Sequence, residues 1–468
     1  MFDLHQGVLA RPLQPSGMTH LKQLQTAGLF DTNAPRYTSY PPANHFGTGI
    51  GTARQAEWLA AVPDGAQVSL YLHIPFCKRL CWFCACRTQG TKTMRPVDAY
   101  VDTLLIEIDR QRALLPADVS LSRLHLGGGT PTILTPDIMA RLLDRVFDRF
   151  ARGAGFEFSV EIDPTEASAA LLDTLIAYGM NRASIGVQDF DPKVQNAIGR
   201  QQSFAQTHAT VAHLRAANLR SLNMDLLYGL PHQTGPGLTA SLEQVMALQP
   251  DRLALYGYAH VPWMSKRQLM IDSAALPSPQ ARFQLAEQAR EMLMLDGFVP
   301  IGIDHFARPD DGLSIALANG QLRRNFQGYT DDTAEVLIGM GASAISKFPQ
   351  GYSQNYPSTA QYTSAIGAGD LAADKGHVLT QTDLWVARAI EQLMCRFEIN
   401  TIDLRAQFPA EACAIARTLS NVAASFPQAL HYREGILTLD PMFEPLVRII
   451  AGKLDLFKSE KTAHSAAI

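Results

Sequence analysis

Short apolar and β-branched runs recur through the first part of the chain, near residues 68–74, 123–127, 157–162, 182–187, 220–226 and 252–258. Runs of this length, bounded by turn residues, read as buried strands. Between them the pattern changes to a helical one. Val97, Tyr100, Val101, Leu104, Leu105 and Ile108 are spaced by threes and fours, which places them on one helical face. Residues 136–150, 167–178, 204–217, 237–248 and 279–296 behave in the same way. Strands alternating with helices point to parallel βαβ units. Six units fall short of the eight of a closed barrel, so the expected fold is α/β: a partial (β/α)6 barrel, open at one side. An open doubly wound sheet is the structural alternative. In a barrel of this kind chemistry sits at the carboxyl ends of the strands.

Outside this alternating region the pattern is weaker. Residues 1 to about 33 are polar with short apolar islands. Pro35-Arg36-Tyr37-Thr38-Ser39-Tyr40-Pro41-Pro42 is stiffened by its prolines and carries two aromatics. From about residue 300 the chain is turn-rich. Helical patterns return at 384–397 and 410–424, and 430–439 reads as strand, Glu434-Gly435 turn, strand. These features divide the chain into an N-terminal extension or arm (1–55), a domain of alternating strands and helices (56–375) and a small, mostly helical, winged-helix-like C-terminal domain with a β-hairpin (376–468). The tail KSEKTAHSAAI is expected to fray. The C-terminal domain is not basic, so a packing lid is preferred to a nucleic-acid module.

Composition narrows the picture a little. The chain has 468 residues, 47% of them hydrophobic, and a formal net charge of −4. No global basic character points to nucleic acid. The start lacks the basic head and long apolar run of a signal peptide, and no run has the length of a membrane span. A cytoplasmic, reducing setting is the expectation.

The candidate chemistry lies just after the first predicted strand, in Cys77-Lys78-Arg79-Leu80-Cys81-Trp82-Phe83-Cys84-Ala85-Cys86. Three thiols at C-x-x-x-C-x-x-C spacing can reach one metal centre from one loop. A four-iron cluster normally takes four thiolates. Three would leave one iron open, as a catalytic metal requires. Structural zinc is the competitor, although its ligands usually come as two separated pairs. Inert thiols are a third reading. Cys395 and Cys413 lie in alanine- and leucine-rich surroundings and are expected to be ordinary buried thiols. Further on, Gly127-Gly128-Gly129-Thr130-Pro131 ends the second strand, where glycines allow close backbone approach. Glu161 closes an otherwise apolar strand, and such a carboxylate needs a partner.

These stretches together resemble the radical S-adenosylmethionine (SAM) enzymes. More narrowly, YLHIPFCKRLCWFCAC is similar to the oxygen-independent coproporphyrinogen III oxidases. So are PRYTSYP at 35–41, VEIDP at 160–164, GVQDF at 186–190, MDLLYGLP at 224–231, DHFARPDD at 304–311 and RNFQGYT at 324–330. The resemblance implies a partial radical-SAM barrel. It implies a [4Fe-4S] cluster on Cys77, Cys81 and Cys84, with Cys86 near the site as a non-ligand. It implies SAM contacts from Tyr71, Phe83, Gly128, Gly129, Thr130, Glu161, Gln188, Arg200 and Asp225, with Ala259 and Ile345 contributing backbone or shape. The fork of Arg200 suits the carboxylate of SAM. His73 would face the same side as Tyr71. A second SAM beside the first is implied by the family alone. Arg87 stands where relatives of this kind would carry asparagine.

The implied reaction turns two propionates of coproporphyrinogen III into vinyls, giving protoporphyrinogen IX for haem synthesis. An electron from the cluster would cleave SAM, and the resulting 5′-deoxyadenosyl radical would take hydrogen from a propionate β-carbon before carbon dioxide leaves. Implied partners are coproporphyrinogen III and a low-potential electron donor, with no nucleic acid and no membrane span; the chain would act as a monomer. Cationic groups for the substrate carboxylates would come from Arg36, Arg308, Arg323 or Arg324. A radical SAM haem chaperone and a haem-acting methyltransferase are the competing activities.

Overall fold

The computed structural model describes residues 18–457; the extreme N-terminal stretch and the expected fraying tail lie outside the described residues. All six predicted strands form, at Gln67–Ile74, Ser120–Gly128, Ala151–Ile162, Arg182–Gln188, Ser221–Tyr228 and Arg252–Gly257. They lie side by side in chain order and every neighbouring pair is parallel. The helix Arg95–Leu114 covers the sheet with its predicted face, and all six residues of that face are buried. Helices Pro136–Arg149, Ala169–Ala177, Phe204–Ala216, Gly235–Ala247 and Pro279–Leu295 fill the other expected positions.

The sheet extends further than the hydrophobic pattern shows. Beyond the first strand come Leu337–Met340, parallel to it, and then the antiparallel Ile345–Phe348, Gly351–Asn355 and Ala373–Val378. Beyond the sixth come the antiparallel His305–Ala307 and Val299–Ile301. These additions are three to six residues long. Strands so short, joined by tight turns, leave little period for a sequence pattern to reveal.

Along the parallel strands the side chains alternate with a period of two. Leu70, Leu72, Leu124, Leu126, Phe158, Val160, Ile185 and Met224 are buried against the helices in one continuous core. The alternate positions carry Tyr71, Arg123, His125, Glu157, Ser159, Glu161, Arg182, Ser184, Asn223 and Asp225. The lumen is therefore polar, and part of its charge is paired. At the amino ends of the strands Arg123 holds Glu157 at 2.5 Å and Asp331 at 2.9 Å, Arg182 reaches Glu157 at 3.1 Å, and Arg252 holds Asp311 at 2.7 Å.

A second core joins the two ends of the chain. Leu24, Leu29, Phe30, Ala34, Tyr37 and Tyr40 pack with Trp385, Leu393, Leu419, Leu437 and Leu446. Tyr37 donates to Asp455 at 3.0 Å, and the Tyr40 hydroxyl accepts from the Leu456 N–H at 3.0 Å. The C-terminal part contains helices Gln381–Arg396, Thr401–Gln407 and Ala412–Ser425, and the hairpin Leu430–Arg433 to Ile436–Leu439. The hairpin turns at Glu434 and Gly435, both at positive φ, as the sequence predicts. The thiol reading needs one correction. Cys395 is buried, but Cys413 is exposed. Ile415, Leu419 and Val422 form the inner stripe of its helix, and Cys413 falls outside that stripe.

The lumen charges make stability pH-dependent. Burial raises the Glu157 carboxyl, but Arg182, Arg123 and Arg252 outweigh it and bring the pKa from 4.5 to about 2. A depressed carboxylate contributes stability above its unfolded value, and the contribution fades as pH falls through the folded one. Glu157→Gln should cost about 3–5 kcal/mol near neutrality, because it leaves Arg182 without its carboxylate while Arg123 keeps Asp331 and Asp332. In denaturant titrations the gap between wild type and variant should narrow from pH 4.5 towards 2. A gap independent of pH would contradict this assignment.

Candidate active site

The cysteine loop leaves the carboxyl end of the first strand and is fastened on three sides. Phe76–Cys77 pairs with Gln89–Gly90. The Trp82 N–H donates to Ile198 O at 2.9 Å, and its ring lies where a Cβ on Gly199 would come within 2.9 Å. Glycine at 199 is therefore what admits this ring. From the loop after the sixth strand, Ser265 donates to Cys84 O at 3.0 Å, Arg267 donates to the Thr88 hydroxyl at 2.8 Å, and the Gln268 amide donates to Phe83 O at 2.8 Å and Ala259 O at 3.0 Å.

The glycine run backs the same loop. A Cβ on Gly129 would lie 2.5 Å from Phe76 O, and one on Gly128, at φ 117°, would lie 2.7 Å from the His73 ring. The Gly129 and Thr130 N–H groups donate to Ile74 O and Phe76 O at 2.8 and 2.9 Å. These glycines therefore let two strand exits touch, while Gly128, Gly129 and Thr130 still border the cavity beyond.

That cavity has a volume of about 370 Å³ and runs from the cysteine loop down the polar lumen. Cys77, Cys81, Phe83, Cys84, Cys86, Glu161, Gln188, Arg200 and Asp225 all line it; Tyr71, Ala259 and Ile345 do not. Tyr71 instead bonds His73 Nδ1 at 2.9 Å and stacks on His125. Ala259 is tied through its carbonyl to Gln268. Ile345 opens one of the added antiparallel strands. Arg87 is exposed, so its departure from the family pattern leaves the lining unchanged.

The thiols sit in different fields. Burial raises Cys77, against hydrogen bonds from Thr130 and Thr88. The Cys86 side chain holds Cys84 down at about 6, helped by the Cys86 N–H, Arg267 and Arg200 against the cost of burial. Arg200 lies 3.7 Å from the Cys81 sulfur, 3.1 Å from Asp163 and 2.7 Å from Gly186 O. Its two terminal nitrogens are thus engaged by protein groups, so bidentate capture of a ligand carboxylate is not its evident part; it supplies positive charge beside a thiolate.

The donors fit the implied group. Among the described residues no three His, Cys, Asp or Glu side chains close on a single ion. A four-iron cluster is a larger body and keeps its thiolates further apart. Arg79 and Arg200 both line the cavity with buried nitrogens that have no partner: Nε and Nη2 of the first, Nε of the second. Glu161 accepts from the Gly128 N–H at 3.1 Å and lies 3.4 Å from His125 Nε2, yet 42% of its side chain is open to the cavity. Burial opposes its charge, but the His125 hydrogen bond, the His125 charge and the Gly128 N–H hold its pKa below the usual value. A carboxylate kept ionised in this way suits an ammonium. Asp225 accepts from Asn223 at 2.8 Å and Ser184 at 3.2 Å, and burial raises its pKa. It suits hydroxyl donors.

The sequence reading did not find His125, Asp163, Arg267 and Gln268. His125 shares the lumen period with Glu161, and Asp163 belongs to the quoted VEIDP stretch, so both left a signal. Arg267 and Gln268 come from an irregular loop whose partners are backbone atoms, which no pattern marks.

A cluster-binding loop at the strand ends of a partial barrel, opening on a polar lumen, defines a radical SAM enzyme, and the Radical SAM superfamily model matches residues 71–243. The chain is 51% identical over 451 residues to the oxygen-independent coproporphyrinogen III oxidase of Paracoccus denitrificans (strain Pd 1222), covering 96% of this chain and 100% of that one. It is 40% identical to the enzyme of the same name from Escherichia coli (strain K12), over 81% of this chain and 82% of that one. A solved coproporphyrinogen III oxidase from Escherichia coli, described as a radical SAM enzyme, superposes with a TM-score of 0.87 at 37% identity, covering 90% of this chain and 98% of that one. The chain belongs to the oxygen-independent coproporphyrinogen III oxidase family.

The clamp on the cysteine loop is directly testable. Gln268 is 1% exposed and joins Phe83 to Ala259. Gln268→Ala should cost about 1–3 kcal/mol in thermal unfolding, because it strands the buried Val261 N–H and two half-buried carbonyls. It should also lower the iron retained after desalting. Unchanged stability and iron content would show that the loop is held by other contacts.

Proposed function

We propose that this chain converts two propionates of coproporphyrinogen III to vinyls without oxygen, giving protoporphyrinogen IX. One observation carries the reading: a three-thiol loop opens onto a polar lumen in a chain that matches the oxidases along nearly its whole length. The cluster and SAM, when bound, supply the electron and the carbon-centred radical that removes a hydrogen atom from the substrate.

The chain's own residues set the conditions. Cys77, Cys81 and Cys84 hold the cluster, and Cys86, which donates its N–H to the Cys84 sulfur at 3.4 Å, tunes one ligand rather than adding a fourth. Glu161 and the backbone at Gly128–Thr130 orient the amino-acid end of SAM, while Asp225 and Gln188 orient the ribose. Tyr71 positions these groups through His73 and His125. Phe83 borders the nucleoside, and Ala259 and Ile345 shape the surrounding wall from one layer behind. Arg200 keeps positive charge beside Cys81. The loop at 261–270 braces the cysteine loop through Ser265, Arg267 and Gln268.

A second SAM belongs to the same reading and is supported by two turnovers per substrate. So do a low-potential electron donor, a monomeric chain in the cytoplasm and the absence of a nucleic-acid role. No helix among the described residues is long and apolar enough to cross a membrane. The relatives from Paracoccus denitrificans and Escherichia coli carry the oxidase name over most of this chain, which favours the oxidase over the chaperone and methyltransferase readings.

Protein reconstituted with iron and sulfide under anaerobic conditions, then given reductant, SAM and coproporphyrinogen III, should form protoporphyrinogen IX with 5′-deoxyadenosine. Cys81→Ser should reduce both products by at least about a thousandfold. Deoxyadenosine without a vinyl product would discard this substrate.

A further inference from the structure

The candidate cations for substrate carboxylates separate into two groups. Arg308 pairs with Asp296 at 2.8 Å and packs over the Phe298 ring, and Arg323 pairs with Glu391 at 2.9 Å. Both are occupied structurally. Arg36 is different, and Arg282, which the sequence does not mark, joins it. Arg36 comes from the N-terminal arm and donates one hydrogen bond, at 2.6 Å, to Gly257 O at the carboxyl end of the sixth strand. Arg282, in the first turn of the helix Pro279–Leu295, donates one at 2.8 Å to Tyr258 O. Neither forms an ion pair among the described residues, and Arg282 Nε is buried with no partner. Each guanidinium has five N–H donors.

More positive charge gathers nearby. Arg324 donates to the carbonyls of Arg36 and Tyr37, and Arg448 donates to those of Ala34 and Pro35. The buried acid of this neighbourhood, Asp304, is bonded to His305 at 2.7 Å; burial raises its pKa, but that bond and the His305 charge, then Arg324 and Arg36, outweigh burial and bring it to about 2, so Asp304 offsets part of this positive charge. Burial first, and then the like charge of Arg36, brings Arg448 down to about 10. Arg36 and Arg282 still keep guanidinium donors that no carboxylate takes in an ion pair among the described residues. The place is also built to fine tolerance: a Cβ on Gly257 would lie 2.9 Å from the Tyr228 hydroxyl and 3.3 Å from Arg282 Nη2. Tyr256, whose ring carries Arg36 at 5.6 Å, lines the cavity, so the cationic ground adjoins the active-site lumen.

We propose that Arg36 and Arg282 together clamp a propionate carboxylate of the tetrapyrrole, one guanidinium brought by the arm and the other by the barrel. This rests on the substrate proposed above and adds to it the residues that hold the substrate. It also gives the arm a purpose beyond packing, since the clamp is complete only when residues 35–41 are seated against the sixth strand.

Full-length, cluster-loaded protein should be titrated anaerobically with coproporphyrin III and with its tetramethyl ester, followed by porphyrin fluorescence. Wild type should prefer the acid. Arg36→Gln and Arg282→Gln should each weaken acid binding about ten- to hundredfold, as loss of a charged hydrogen bond does, and leave ester binding unchanged. In turnover they should raise KM more than they lower kcat, and reductant-driven SAM cleavage without substrate should match wild type. Arg282→Lys should recover part of the loss, and Arg308→Gln should bind the acid as wild type does. Variants that keep wild-type preference for the acid would overturn the clamp, as would equal losses for acid and ester. Binding is read apart from catalysis. A wild type that discriminates acid from ester through these arginines but forms no vinyl product would keep the clamp and discard the proposed reaction.

Discussion

Everything at the site depends on how closely the exits of the first two strands approach each other. The cysteine loop begins where the first strand ends, and the second strand must pass directly beneath it. At Gly129 a methyl group would lie 2.5 Å from the Phe76 carbonyl, and at Gly128 one would meet His73. The absence of side chains here lets the loop rest on backbone, with Gly129 and Thr130 donating to Ile74 and Phe76. The loop is held by this support and by the clamp of Ser265, Arg267 and Gln268 on the other side.

The lumen presents the opposite problem. Period-two alternation places arginine, glutamate, histidine and aspartate inside a barrel, where unpaired charge is expensive. The amino-terminal end settles this by pairing: Arg123, Arg182 and Arg252 meet Glu157, Asp331 and Asp311. Nearer the cysteine loop the pairing is deliberately incomplete. Glu161 keeps an open edge towards the cavity and no arginine partner, its neighbours being His125 and the Gly128 N–H.

Much of this was legible in the chain. The six parallel strands and their helices follow from runs such as 68–74 and from faces such as Val97 to Ile108, because burial on a repeating layer leaves a period. The cysteine spacing pointed to a cluster, and the quoted family stretches fixed which one. The six added strands left no period, being three to six residues long. Arg200 was read as a free fork, whereas its partners Asp163 and Gly186 become visible only when strands far apart in sequence are brought together. Gln268 and Arg282 are anchored on backbone carbonyls, which every residue has, so no motif singles them out. The thiol at Cys413 was misplaced because an alanine-rich helix does not show by composition which side faces inward.

The central claim is that three thiols from one loop hold four irons and leave one of them free for SAM. Mössbauer spectroscopy on protein reconstituted with iron-57 tests it most directly. Four irons per chain, one of which changes its signal when SAM is added while three do not, is the expected result. Four irons that all ignore SAM, or a single iron per chain, would contradict it.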